Sequence, residues 1–371
     1  MRIALVHDYL TQHGGAERVL EALHEQYPDA PVFTSLYDPD ALPASYRSWD
    51  IRSSKMGVLP GVKRRHRLLL PVYPALFGAI GRQLRGYDLI LADSSAWSHH
   101  AAADGAALIC YCHSPARFLY GDQDYLTPAA VPGVVSSIAP ALYRSLRALD
   151  RRAAARVDRY IANSRAVAKR IEAAYGRAST VIYPPVDIER FDHGDPGEPE
   201  DWFLVVSRLV PHKRVDLAIE ACRRRGVGLK VVGEGRALAE LRAKAGPTVE
   251  LLGYQDDATV ADLLRRCRAL ILPAKEDFGI TPVEAQAAGR PVIAYGQGGA
   301  RETVIPGETG LFFDEQTPES LAQALETFES MTWTSARMQQ NARRFGRDRF
   351  KREIAEVVDE VVTHRFASGE S

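Results

Sequence analysis

No stretch of this 371-residue chain approaches the roughly 18 consecutive apolar positions of a membrane-spanning helix. Net charge is also missing: 47 Lys and Arg balance 47 Asp and Glu, so the whole chain gives no case for nucleic acid, and no nucleic-acid partner is expected. Cysteine is scarce. The four present, Cys110, Cys112, Cys222 and Cys267, are scattered, and a metal site would need at least two more well-spaced ligands. Buried, reduced thiols are the expectation, with Cys110 and Cys112 on one face of a strand. No carboxylate cluster of D-x-D type stands out, so neither a metal nor a cofactor is expected. Low complexity and convincing repeats are absent too. The N-terminus, Met1-Arg2-Ile3-Ala4-Leu5-Val6, enters a strand at once and lacks the apolar stretch and cleavage site of a signal peptide, which points to the cytoplasm.

What remains is a globular composition, 46% hydrophobic and 25% charged, on a length that suits two domains. The zero balance hides an asymmetry. Residues 1–185 carry 22 Lys and Arg against 16 Asp and Glu, and the remainder 25 against 31. Between Asp50 and Asp88 there are eight cations and no acid. The cluster Lys63-Arg64-Arg65-His66-Arg67 runs straight into the apolar segment Leu68 to Phe77. A charge run is usually a solvated face; the alternative is a patch that rests on anionic lipid or receives a phosphate-bearing acceptor.

Short apolar runs alternate with helix-length amphipathic segments twice over. The strand candidates of the first half are Ile3–His7, Val32–Ser35, Leu89–Ala92, Ala107–Tyr111, Tyr160–Ala162 and Thr180–Ile182. Those of the second are Trp202–Val206, Leu229–Val232, Val249–Leu252, Ala269–Leu272, Val292–Tyr295 and Leu311–Phe313. Such alternation predicts an α/β protein with two parallel, doubly wound sheets. The linker is read at Tyr183-Pro184-Pro185-Val186-Asp187 and the Pro- and Gly-rich stretch 192–200. A helix over about 343–366 lies beyond the second sheet and is expected to cross back to the first domain.

Ligands of such sheets bind beyond the carboxyl ends of strands, which directs attention to the post-strand loops. Gly14 and Gly15 open a helix after the first strand, where free N–H groups and the helix dipole suit a phosphate, although a Gly-Gly pair also simply makes a turn. The G-x-G-x-x-G dinucleotide fingerprint is not there. His113 follows the Ala107–Tyr111 strand and is either a structural hydrogen bonder or a catalytic group. Arg208 and Lys213 follow the first strand of the second half, and two cations on one loop can clamp a diphosphate without a metal. Gly233-Glu234-Gly235, Gly253-Tyr254 and Gly298-Gly299 lie in further loops of this kind. Glu276 directly follows a buried run in a loop ending Phe278-Gly279-Ile280. Thr281, Pro282 and Glu284 make a capping-box pattern, so Glu284 serves either the helix start or a ligand. Gly289 then closes the helix. His99 and His100 have no such context.

Taken together these segments resemble the retaining glycosyltransferases of family 4. The matching pieces are Gly14 to Arg18, His113-Ser114-Pro115, Asn163-Ser164, Tyr183 to Asp187, Ser207 to Lys213, Gly233-Glu234-Gly235 and the Glu276/Glu284 pair. The resemblance implies a GT-B fold, two Rossmann-like domains facing a cleft, with residues 1–185 (plus the C-terminal helix) binding acceptor and 186–342 binding the nucleotide-sugar donor. It implies that Arg208 and Lys213 neutralise the departing diphosphate. Glu276 and the backbone of Phe278, Gly279 and Ile280 would hold the donor sugar, and Glu284 the ribose. Gly14, Gly15 and Gly233 would line the donor, and His113 would contact the sugar near its anomeric carbon. Cys112 to Arg117 and Ile182 to Asp187 look most like bacterial mannosyltransferases of polysaccharide and O-antigen assembly. This suggests GDP-mannose as donor and a glycan or lipid-linked glycan as acceptor, worked on at the inner face of the cell membrane. Competing readings keep the fold with a UDP-sugar donor, a nucleotide-sugar 2-epimerase, or a non-catalytic nucleotide-sugar-binding subunit.

Overall fold

In the computed structural model, which describes residues 1–58, 62, 69, 71–121, 133–191 and 194–367, alternate residues of the first strand enter two different cores. Ala4 and Val6 of β1 (Ile3–His7) join one cluster, Leu5 the other. The same alternation sends Cys110 and Cys112 of β5 (Ala107–Cys112) to the first cluster and Ile109 and Tyr111 to the second. A sheet buried on both faces requires near-continuous apolar strands, which is why these runs were legible. All four cysteines are free and buried. Burial pushes the Cys222 and Cys267 thiols up to about 12, and Cys110 also well above its ordinary value.

The chain divides into Met1–Pro184 with Phe350–Ser371, and Pro185–Arg349. The first unit's sheet adds β2 (Val32–Thr34), β3 (Ile51–Ser53), β4 (Leu89–Ser94), β6 (Arg159–Ala162) and β7 (Ser179–Val181). Its order is β3-β2-β1-β4-β5-β6-β7, parallel throughout. The second unit holds β8 (Trp202–Val206), β9 (Gly228–Val232), β10 (Val249–Gly253), β11 (Leu270–Leu272), β12 (Val292–Tyr295) and β13 (Gly310–Phe313). These run β10-β9-β8-β11-β12-β13, again all parallel. In each sheet the winding direction reverses once, between β1 and β4 and between β8 and β11. Such reversals open a crevice at the carboxyl ends of the two strands, where ligands of this architecture sit.

One strand escapes the sequence reading. β3 is an edge strand whose Arg52 and Ser53 are exposed, so it carries no apolar signature. The expected C-terminal helix over 343–366 also needs correction. Arg343–Phe345 forms a separate 3₁₀ turn within the second unit, the extended backbone at Gly346 breaks it off, and the helix proper is Arg347–Ala367. From Phe350 onward it belongs to the first unit, as expected. Phe350, Ile354, Val357, Val358 and Val361 recur at helical spacing and join the core of Leu5, Leu20 and Ile109. Lys63, Arg64, Arg65 and Arg67 lie outside the described residues. Among the described residues no helix is long and apolar enough to cross a membrane.

Candidate functional site

At the reversal of the first sheet, strand register sets His7, the last residue of β1, directly beside Asp93 of β4. His113 comes one residue after β5, its N–H donating to the Ser94 carbonyl (2.8 Å). Parallel pairing thus brings three strand ends together, and their side chains meet at one carboxylate. Asp93 Oδ1 lies 2.5 Å from His113 Nε2 and Oδ2 lies 2.8 Å from His7 Nδ1. The other ring nitrogen of His7 is 3.5 Å from Glu17 Oε1. Glu17 stands in the first turn of the helix Gly15–Gln26, whose N-cap is Gly14. A Cβ on Gly14 would sit 3.3 Å from the Glu17 carboxylate, so the glycine lets the chain close over it.

This line of groups is out of water: His7, Glu17 and Asp93 are 3%, 2% and 0% exposed. Burial alone would strip His7 of its proton, but Asp93 and Glu17 on either side outweigh it and raise the ring to about 10. Burial likewise opposes charge on Asp93, yet His113 and His7 hold its carboxyl below the usual range. The neighbouring Asp8 fixes the loop beyond β4, its carboxylate accepting the N–H groups of Ser95, Ala96, Trp97 and Ser98 at 2.6–2.8 Å. Four charge-assisted bonds to consecutive amides leave that loop little freedom.

The second unit is organised the same way. Beyond β8 the chain runs through Arg208, which is exposed and in no ion pair among the described residues, to the 3₁₀ turn Pro211–Lys213. Arg214 ends that turn in the left-handed conformation (φ 52°), the one described non-glycine residue there. The Lys213 ammonium donates to the Glu276 carboxylate, which comes from the loop beyond β11 across the reversal. Gly233 lies against the Ser207 carbonyl, so that loop and the Arg208 loop pack backbone to backbone, and the Leu209 N–H donates to the Glu234 carbonyl at 2.8 Å. Gly233 therefore has a packing role of its own. A cavity of about 220 Å³ flanks the turn, lined by Val210, Pro211, Arg214 and Leu241 among others, and includes neither Arg208 nor Lys213.

Glu276 is held by its backbone as well. It forms a parallel bridge with Gly298, and the Gly299 N–H donates to its carbonyl at 2.9 Å. A Cβ on Gly298 would run into that carbonyl. Phe278 turns its ring inward against Phe345 (centroids 5.5 Å apart) and is 3% exposed. The capping box is overturned here. The helix Ile280–Ala287 begins at Gly279, whose φ of 86° and ψ of 92° suit glycine alone, so Thr281 is inside the helix. Pro282 becomes the third helical residue and Glu284 the fifth, each two residues deeper than the pattern suggested. Glu284 is buried at 5% exposure, and Gly289 (φ 74°) closes the helix as expected.

The sequence reading missed His7, Glu17 and Asp93. The available signal was a histidine and an aspartate each continuing an apolar run at a strand's carboxyl end. The unassigned His99 and His100 both lie 3.0 Å from Asp150 Oδ1, while the Tyr175 hydroxyl donates to Oδ2 at 3.0 Å. These contacts tie the turn after β4 to the helix Gly133–Ala154.

Comparison with known proteins places these features. Residues 13–190 match the model described as Glycosyltransferase Family 4, and residues 186–345 match Glycosyl transferases group 1. The chain is 30% identical over 174 residues to an uncharacterised glycosyltransferase of Methanocaldococcus jannaschii, covering 45% of this chain and 48% of that protein. It is 32% identical over 210 residues to the D-inositol 3-phosphate glycosyltransferase of Rhodococcus erythropolis, covering 48% and 47%. The matches thus span about half the length of these curated relatives. Anabaena HepE in complex with UDP superposes with a TM-score of 0.73 at 22% identity, covering 97% of this chain and 100% of that one. The same protein has been solved with UDP-glucose, with a TM-score of 0.71. At that identity the likeness establishes the fold, which is GT-B.

Proposed function

We propose that this chain, a glycosyltransferase of the GT-B type by its fold and by the family models that match its two halves, transfers a sugar from a nucleoside-diphosphate donor to an acceptor hydroxyl with retention at the anomeric carbon and without a metal. The observation that carries this reading is the meeting of Lys213 and Glu276 at the reversal of the second sheet, with Arg208 on the same loop as Lys213. A sugar diphosphate offers an anionic leaving group beside a polyhydroxylated ring. Two cations and a carboxylate at one strand-end crevice match both parts.

The chemistry needs little beyond placement and charge. The acceptor hydroxyl oxygen bonds to the anomeric carbon from the face the diphosphate leaves, the bond from that carbon to the phosphate oxygen breaks, and the phosphate oxygen takes the hydroxyl proton. Arg208 and Lys213 stabilise the charge that builds on the diphosphate. Glu276 and the backbone of Phe278, Gly279 and Ile280 fix the sugar, and Glu284 takes the ribose. On the first unit the reading gives His113 the sugar near its anomeric carbon and Gly14 and Gly15 the diphosphate.

Two donors are favoured by different observations. The segments Cys112 to Arg117 and Ile182 to Asp187 resemble mannosyltransferases and point to GDP-mannose, with a lipid-linked or polysaccharide acceptor. The structurally similar Anabaena protein was solved with UDP-glucose, which supports a UDP-sugar as second reading. Thermal-shift and hydrolysis screens across GDP-, UDP- and ADP-sugars decide between them. If none of these donors shifts the melting temperature or is turned over, the transferase reading fails.

A further inference from the structure

Behind His113 runs a buried line of ionisable groups to which the reading above gives no work. Its order is Glu17, His7, Asp93, His113, linked by the 3.5, 2.8 and 2.5 Å contacts between carboxylate oxygens and ring nitrogens. Each nitrogen of His7 faces a carboxylate. Nδ1 donates to the Asp93 carboxylate and Nε2 lies 3.5 Å from that of Glu17, so His7 is held as an imidazolium. Asp93 then faces a fixed cation with one oxygen and His113 with the other. Its carboxylate is fully buried, at 0% exposure. The His113 main chain is pinned on both sides as well, its N–H on Ser94 O and its carbonyl accepting from Asn163 Nδ2 at 3.2 Å.

We propose that Asp93 is the positioning residue for His113: its carboxylate accepts the Nε2 proton, fixes the imidazole as the Nε2–H tautomer and leaves Nδ1 as the atom presented to the donor sugar, while His7 and Glu17 hold Asp93 in place. The tautomer of a histidine is set by the hydrogen bond its other nitrogen makes, and here that bond goes to a group that cannot donate. With Nε2 so held, Nδ1 is the atom left to accept a hydrogen bond from a sugar hydroxyl, with no loss to the other tautomer. Through Glu17 the same line reaches the turn of Gly14, so the glycine loop and His113 share one internal support. The inference rests on the proposed contact of His113 with the sugar.

Two measurements test it. Long-range ¹H–¹⁵N spectra of the full chain labelled at histidine, with the His113 signal assigned from its loss in His113→Gln, should show a single Nε2–H tautomer. An Nδ1–H tautomer, or rapid exchange between the two, overturns the proposal whatever the enzyme's activity. In transfer assays with the donor found by the screen, Asp93→Asn should lower kcat roughly tenfold or more while the donor KM moves less than about threefold, the pattern of a residue that orients another. Asp93→Asn added to His113→Ala should then cost nothing further. Normal kcat in Asp93→Asn alongside a dead His113→Ala overturns the positioning role and leaves the reading of His113 intact. Normal transfer in His113→Ala sinks that reading itself. Should Asp93→Asn fail to fold in a melting experiment, the wild-type spectrum still decides.

Discussion

Lys213 and Glu276 stand 63 positions apart and join side chain to side chain, each from the loop just beyond a strand at the reversal of the second sheet. The pair is partly buried, at 16% and 20% side-chain exposure, so neither group is a spare surface charge.

Replacing either member should abolish transfer without unfolding the chain. Lys213→Ala and Glu276→Ala are each expected to slow turnover on the order of 10²–10³-fold, the usual cost of removing one stabilising group from a developing charge. Melting temperatures should shift by no more than a few degrees, because the pair, at 16% and 20% side-chain exposure, keeps some contact with solvent and an ion pair reached by solvent contributes about 0–1 kcal/mol. Near-normal turnover in either variant would contradict the assignment.

Gly279→Ala should destabilise the second unit. A left-handed backbone costs an L-residue about 1–2 kcal/mol, which lowers the midpoint by a few degrees on differential scanning calorimetry. Unchanged melting would mean that the helix start at Ile280 relaxes without strain.

The buried line predicts a pH dependence with a definite sign. His7 is raised from about 6.5 to about 10 on folding, so the folded chain holds the proton that the unfolded chain releases between those values. The resulting stability is fully present below about pH 6.5 and is lost as pH climbs toward 10. Asp93, lowered on folding, contributes stability that disappears as pH falls through the acidic range. Denaturation midpoints from pH 6 to 10 should therefore decline more steeply in the wild type than in His7→Gln.

Excess EDTA should leave transfer undiminished, and NMR of the product should show the donor's anomeric configuration preserved. A strict metal requirement would contradict the Arg208 and Lys213 clamp, and an inverted linkage would exclude same-face attack.

Most strand positions were readable because the central strands of both sheets are buried, which forces uninterrupted apolar runs; Ile51–Ser53 was invisible because it lies at an edge in water. Arg208, Lys213 and Glu276 could be found because they follow such runs. The pairing of Asp93 with His7 could not, since it depends on strand register across 86 positions. The Thr281 cap failed for a related reason. The local pattern was sound, but the approach of Gly298 and Gly299 to Glu276 and Phe278 sets the backbone that Gly279 completes, and the helix starts two residues earlier than its capping residues advertise.

The helix Arg347–Ala367 sets the order in which the protein can be made. Phe350, Ile354, Val357, Val358 and Val361 fill the core against Leu5 and Leu20, so the first unit cannot seal that core until the whole second unit and this helix have left the ribosome. Pro185–Arg349, by contrast, is a single continuous span. The half translated first is thus the half finished last, and during synthesis it waits with an apolar face uncovered. A chain stopped at residue 349 should release a folded second unit attached to an aggregation-prone first one.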